Sequence, residues 1–328
     1  MAVRTPHFPD LLFGSAARLR RWEGALMGLL EAHGYRELHP SLVLREAVPE
    51  GALRFFDGDE LVALRWDFTV ALAGLLARSF PTPPDRVAYA GAVFRRPVQP
   101  WEAVERFEVG CERIQPEGEP AAEADVELAR MLMAIPGLLG LKSAILHLGN
   151  AALVRRPLEA EGLFGELAYA VVAALSRRAP HRVREALDGH PSAKRLSAHA
   201  EALLSELDGP GTLAALEASP YASLLEEERS HMDRALKALL PILPPNLELR
   251  VDLADVAGLD FYTGPTLRLW APGAQQELAA GGRYDRLFPG LGRPWQAAGF
   301  CVRLSRLLDL AATRPDLFEE QGVSPSNR

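Results

Sequence analysis

The sequence predicts an α+β fold: an antiparallel sheet flanked by helices and interrupted by an all-helical insertion. Three observations predict it. Short β-patterned runs occur before about residue 150 and return after about residue 247. The stretch between them changes to Ala, Leu, Glu and Arg at 3.6-residue spacing. The length of 328 residues, at a typical ~150 per domain, leaves room for a core and a second unit. Apolar residues make up 48% and charged residues 24%, which suits a buried core and excludes wholesale disorder.

The elements follow in order. Ala16 to His33 carries Leu19, Trp22, Leu26, Leu29 and Leu30 at helical spacing and stops at Gly34, a C-terminal signal. Tyr35 to Val43, Leu61 to Arg65, Val87 to Phe94 and Glu105 to Glu112 read as strands. Phe68 to Phe80 reads as a helix that Pro81, Pro83 and Pro84 end, because proline has no N–H to continue the ladder. Ala121 to Ile135 is a further helix and Ser143 to Leu148 a strand. From Ala151 to Leu243 the pattern is helical, broken at Pro180, Gly189, Gly209 to Gly211 and Pro220, and predicts four or five helices. Strand pattern resumes at Glu248 to Leu253, Phe261 to Trp270 and Ala297 to Val302, and Leu304 to Ala311 closes as a helix. Residues 1–150 and 247–312 are thus expected to form the core, 151–246 the insertion, and 313–328 a frayed tail.

Composition also bounds the chemistry. Two cysteines, Cys111 and Cys301, make neither a disulfide framework nor a zinc site and read as buried thiols. No run nears the ~18 apolar residues of a membrane span, and Pro6, His7, Pro9 and Asp10 stand where a signal peptide needs an apolar centre. The cytoplasm is the expected location. A net charge of −7 argues mildly against a nucleic-acid partner, since phosphate neutralisation supplies much of that affinity. Phosphate-loop spacing is absent, and no metal constellation or base-partnered nucleophile can be read from the spacing.

Three clusters carry polar chemistry. In Leu64-Arg65-Trp66-Asp67-Phe68-Thr69 a strand passes into a helix, and Asp67 and Thr69 are also what any helix start favours. Phe94-Arg95-Arg96 is followed by Arg106-Phe107-Glu108-Val109-Gly110-Cys111-Glu112, where alternation places Glu108, Gly110 and Glu112 on one face. Carboxylates sharing a face repel and call for a cation between them, unless the face is simply solvated. The third cluster joins Gly258-Leu259-Asp260-Phe261-Tyr262-Thr263-Gly264 to Gly281-Gly282-Arg283-Tyr284-Asp285, whose paired glycines suggest close backbone approach or a bulged hairpin. Together they predict a sheet-floored pocket for a small cationic or zwitterionic ligand with a flat ring.

In this order the clusters resemble the core of class II aminoacyl-tRNA synthetases, specifically histidyl-tRNA synthetase, over roughly residues 8–150 and 247–310. Pro40 sits like the motif 1 proline, Phe94-Arg95-Arg96 like motif 2 and Gly299-Phe300 to Arg306 like motif 3. Leu259 to Gly264 and Gly281 to Asp285 are similar to the two histidine-specific signatures. The departures point away from catalysis. Ala257 stands where the synthetases carry a catalytic arginine, and losing such a preorganised charge typically costs ~10²–10³ in rate. Pro97 replaces the motif 2 glutamate, Ser305 the motif 3 glutamate, and Arg303 a small residue under the adenine, where a guanidinium would fill the slot.

Those departures, with Asp67 in a Leu-Arg-x-Asp-x-Thr segment, resemble the regulatory subunits of ATP phosphoribosyltransferase, a synthetase-like family without aminoacylating activity. Trp66 in the proline position of that segment is a departure. The resemblance implies a non-catalytic subunit of histidine biosynthesis that self-associates and joins a short-form catalytic subunit. It implies histidine as effector, with no cofactor, metal, nucleic acid or membrane partner. Carried over by residue, it implies that Asp67 and Thr69 meet the amino group of histidine and Arg95 its carboxylate. Glu108 and Glu112 would lie near the ammonium and imidazole, and Phe261, Tyr262, Gly281 and Gly282 would frame the ring. Glu108 stands where both families usually have glutamine. Trp101, the insertion and the sheet edge are candidate contact surfaces. The alternatives are a truncated amino-acid-activating enzyme and an RNA-binding synthetase relative.

Overall fold

The computed structural model describes residues 10–45, 51–97, 102–204 and 210–319. Helix α1 (Phe13–Ala32) buries Leu19, Trp22, Leu26 and Leu30 on one stripe, and the chain turns at Gly34 with φ +81. The expected strand from Tyr35 to Val43 is instead two short strands, β1 (Arg36–Glu37) and β2 (Val43–Leu44), in different sheets. Pro40 lies between them without an N–H for either ladder, and its carbonyl accepts from Arg65 Nη1 at 2.7 Å. Strand β3 (Arg54–Asp57) pairs with β4 (Glu60–Leu64) across a tight turn at Gly58. Sequence reading misses β3 because both faces are exposed and Phe55 and Phe56 are adjacent, so no alternation marks it.

Helix α2 (Phe68–Ser79) follows, then β5 (Asp85–Phe94) and β6 (Glu105–Pro116), which pair over ten positions. Helix α3 (Ala122–Leu138) leads into β7 (Ala144–Asn150). The helical stretch holds α4 (Ala152–Ala160), α5 (Gly165–Ser176), α6 (Pro180–Ala186), α7 (Ala193–Leu204) and α8 (Glu226–Leu239). Then come β8 (Leu247–Asp252), β9 (Pro265–Trp270), β10 (Ala279–Arg283), β11 (Trp295–Arg303) and α9 (Leu304–Thr313).

The main sheet has eight strands in the order β1-β5-β6-β11-β10-β9-β7-β8. It is antiparallel except at its edges, where β1 runs parallel to β5 and β7 parallel to β8. Parallel pairing needs a long crossover, and the helical stretch between β7 and β8 supplies it. One apolar cluster runs from α1, α3 and α9 on one sheet face into these helices. On the other face Phe68, Leu72 and Leu76 of α2 pack with Val87, Tyr89, Ile114, Tyr284 and Trp295.

Two further expectations are corrected. Phe261 and Tyr262 precede β9 in a turn closed on the Gly258 carbonyl at 2.9 and 2.8 Å, because Gly258 at φ +74 bends the chain there. The tail is not frayed as far as residue 319: Phe318 is buried, stacks on Trp22 at 5.6 Å and bridges to Leu141. Hydrophobic contact outweighs the polar composition around it. Residues 320–328, and Trp101 of the expected contact loop, lie outside the described residues. Among the described residues no helix is long and apolar enough to cross a membrane. Phe318→Ala is expected to lower the unfolding free energy by about 3 kcal/mol, measured by denaturant titration; an unchanged midpoint would show that the segment adds nothing to the core.

Candidate functional site: a carboxylate-rich cavity on the sheet

A cavity of about 330 Å³ opens on the α2 side of the sheet. Its walls include Asp67, Thr69, Arg95, Glu108, Glu112, Phe261 and Tyr262, seven of the nine residues named from sequence. Strand pairing explains the convergence. Glu108, Gly110 and Glu112 of β6 lie opposite Arg303, Cys301 and Gly299 of β11, all on one face. Gly91, Tyr89 and Val87 of β5 flank them on the other side.

The two paired glycines behave differently from expectation. Gly281 pairs with Phe300 on the opposite sheet face, where a Cβ would come within 2.5 Å of the Phe300 Cβ. Gly282, at φ +154, lies under Tyr262, whose ring is 2.9 Å from where a Cβ would sit. Neither lines the cavity, and Ala280 does. Both sit inside β10, so the bulged-hairpin reading is set aside in favour of close backbone approach. Cys111 is buried on the core face, whereas Cys301 is half-buried and lines the cavity.

Asp67 is the N-cap of α2. Its Oδ1 accepts from Val70 N at 3.0 Å and its Oδ2 from Arg95 Nη2 at 3.2 Å. Arg65, buried beneath, donates to the carbonyls of Pro40 and Ala92 and stacks on Phe68 at 4.0 Å. It directly follows β4, so the small three-stranded sheet β2-β4-β3 fixes the start of α2. Arg95 donates through Nε to the Trp66 carbonyl at 2.5 Å, and its Nη atoms face the Glu108 carboxylate at 3.2 and 3.3 Å. Burial works against its charge, but Glu108 and then Asp67 outweigh it and hold its pKa above the ordinary value. The solvated-face explanation for Glu108 and Glu112 fails, since both are buried. The cation that the shared face calls for sits on Glu108 and Asp67 rather than between the two glutamates.

Among the described residues, hydroxyls rather than cations partner Glu112. Thr69 donates to its Oε1 at 2.6 Å and Tyr284 to its Oε2. Burial pushes its carboxyl up to about 8, the charge of Asp67 adds to this, and the hydrogen bonds from Thr69 and Tyr284 offset it only in part. Tyr284 stacks on Phe261 at 4.8 Å, and Phe261 meets Tyr262 edge-on at 5.4 Å, giving an aromatic wall. Burial also raises the Tyr262 hydroxyl to about 12. Tyr284 lies within the Gly281 to Asp285 signature, but the resemblance carries the glycines before it, not Tyr284, to the ligand. Its position two residues beyond Gly282, at the end of a buried strand, was the available signal.

The side expected to hold a nucleotide base contains charge. Arg303 lines the cavity and donates to Glu277 Oε1 at 2.5 Å, and Arg306 reaches the same carboxylate at 3.3 Å. Arg303 is therefore a paired guanidinium rather than an isolated buried charge. At Ala257 the backbone carbonyl accepts from Arg268, whose Nε is shared between both Asp255 carboxylate oxygens at 3.0 and 2.9 Å. Ser305 Oγ accepts from Phe107 N at 2.8 Å. Among the described residues no group of three or more His, Cys, Asp or Glu side chains could hold a metal.

The raised Glu112 carboxyl makes stability depend on pH in a fixed direction. Below about pH 4.5, its ordinary value, both folded and unfolded chains hold the proton. Between there and about 8 only the folded chain keeps it, so stability falls as pH rises, on the order of 1 kcal/mol per pH unit for one proton. Relative to Glu112→Gln, which does not titrate, the wild-type chain is expected to lose melting temperature steadily from pH 5 to pH 8. A constant difference across that range would contradict the assignment.

Comparison with known proteins identifies the family. Residues 7–307 match the family profile described as histidyl-tRNA synthetase. An ATP phosphoribosyltransferase regulatory subunit from Anaeromyxobacter sp. is 34% identical over 314 residues, spanning 90% of this chain and 89% of that one. A solved ATP phosphoribosyltransferase regulatory subunit/histidyl-tRNA synthetase from Bacillus halodurans is 22% identical with a TM-score of 0.80, covering 94% of this chain and 83% of that one. A chain of the ATP phosphoribosyl transferase (HisG:HisZ) complex from Thermotoga maritima is 18% identical with a TM-score of 0.68, covering 89% and 98%. The class II synthetase-like fold expected from the motifs is the fold observed, and the chain belongs to the ATP phosphoribosyltransferase regulatory subunit family, histidyl-tRNA synthetase-like proteins that serve as regulatory rather than catalytic subunits.

Proposed function

We propose that this chain holds free histidine in the sheet cavity, is required for activity of a short-form ATP phosphoribosyltransferase catalytic subunit, and transmits feedback inhibition by histidine. The observation that carries the reading is the pairing of two features across one cavity. One side keeps buried carboxylates against an aromatic wall, which suits an ammonium and an imidazole ring. On the other side, where a nucleotide would be activated, stands Arg303, held by Glu277 together with Arg306, and its guanidinium would obstruct a base. Glu112 and Tyr284 would take the imidazole N–H, Asp67 and Glu108 the ammonium, and Thr69 would support Glu112. Arg95, expected from the resemblance to meet the carboxylate, is already engaged by Glu108 and Asp67. Phe261 and Tyr262 would frame the ring, with Gly282 acting from beneath Tyr262 and Gly281 from the far face of the sheet.

The Thermotoga maritima relative is named as part of a complex, and the same mode of association is proposed here. Self-association is supported by Phe56 and Leu61, cross-strand partners in the small sheet that are 71% and 41% exposed. Inhibition needs histidine to favour one arrangement of the assembly by ~1–3 kcal/mol.

Calorimetry on the chain, alone and with the catalytic subunit, is expected to show histidine binding and no ATP binding. The catalytic subunit is expected to turn over only in the presence of this chain and to be inhibited by histidine less when Glu112 is replaced by Gln. Histidine-dependent ATP–pyrophosphate exchange would overturn the reading in favour of an amino-acid-activating enzyme, and salt-sensitive RNA binding would revive a nucleic-acid role.

A further inference from the structure

The residue best suited to a ligand carboxylate, Arg95, is already engaged on every side. Its Nε is on the Trp66 carbonyl at 2.5 Å, both Nη atoms face Glu108 at 3.2 and 3.3 Å, and Nη2 also reaches Asp67 at 3.2 Å. A guanidinium has five N–H groups in a fixed fork, and these contacts leave too few for a bidentate grip on another carboxylate. The second cation of the wall, Arg303, is held by Glu277. Three carboxyl groups, Asp67, Glu108 and Glu112, face the same cavity.

We propose that Glu108 is a specificity-determining residue: by occupying Arg95 it withdraws the cation a ligand carboxylate needs, so the cavity selects for the ring and the ammonium and gains little from the carboxylate. The inference rests on the reading of the cavity as an imidazole-amine site and says which part of that ligand it recognises. A carboxylate entering beside Arg95 must displace Glu108 or Asp67 and then sit among like charges. An ammonium or a hydroxyl placed there instead meets two acceptors. Glu108 is 2% exposed, so water does little to screen it. A glutamine at the same position keeps one acceptor oxygen for Arg95 and removes the competing charge.

The test is calorimetry with the full chain, alone and mixed with the catalytic subunit, using L-histidine and L-histidinol, which carries a hydroxymethyl group in place of the carboxylate. The wild-type chain is expected to bind the two within about ten-fold of each other. Glu108→Gln is expected to tighten histidine by about ten-fold while leaving histidinol unchanged or weaker. The wild-type comparison needs no variant, so it stands even if the substitution impairs folding. A wild-type preference for histidine of roughly 100-fold or more, as an unencumbered bidentate arginine would give, overturns the inference and leaves the histidine reading intact. An equal shift of both ligands in Glu108→Gln overturns it too. Binding of neither ligand in either preparation overturns the imidazole-amine reading, and this inference with it.

Discussion

The cavity depends on a steric constraint at the centre of the sheet: where Glu112 lays its carboxyl across the strands, the neighbouring position must carry no side chain. Gly299 is that position, paired with Glu112, and a Cβ there would fall on the carboxyl itself. Gly110 makes the equivalent space for the Tyr89 hydroxyl, 2.5 Å from where its Cβ would be. Glycine weakens a strand, since it adds backbone entropy and packs nothing. The long ladders on either side of β6, to β5 and to β11, offset that weakness. With the floor cleared, Thr69 from a helix and Tyr284 from a strand end can meet one carboxyl from opposite sides.

Among the described residues the fully buried cations are arginines. Arg65 is held by carbonyls, whereas Arg268, Arg283 and the half-buried Arg95 are matched to carboxylates. Arg283 is bound to Asp125 at 2.8 Å and to Asp285 at 3.0 Å, Arg268 to Asp255, and Arg95 to Glu108 and Asp67. The planar fork of arginine suits such pairs better than the point charge of lysine. Pairs of this kind add little net stability, because desolvation offsets most of the attraction, but they fix geometry wherever one partner would otherwise be left unpaired. Arg283 also joins regions. It lies next to Tyr284, reaches α3 through Asp125, and Asp125 in turn meets His231 of α8 at 3.0 Å. The aromatic wall and the helical stretch between β7 and β8 thus both border the Arg283–Asp125 pair.

Strand geometry explains how the carboxylate side of the cavity and the side at Arg303 can differ independently. Both are built on β6 and β11, on residues two apart along a strand, so a change at Arg303 alters one region while Cys301 and Gly299 keep the other open. Strand alternation allows this separation, because neighbouring positions on one face are fixed by the backbone rather than by one another.

Most element types, though not β3 or β10, the sharing of one face by Glu108, Gly110 and Glu112, and the family were legible in the sequence, because periodicity and motif spacing are local properties of the chain. Partnership was not. Nothing near Arg95 in sequence says that it closes on Glu108, 13 residues away, and on Asp67, 28 residues away. Nor does local pattern reveal that Gly281 faces away from the cavity, that Tyr284 holds Glu112, or that Phe318 returns to stack on Trp22. Those outcomes were decided only in the tertiary structure, where strand register and the desolvation of each buried charge select which of many chemically suitable partners a side chain meets.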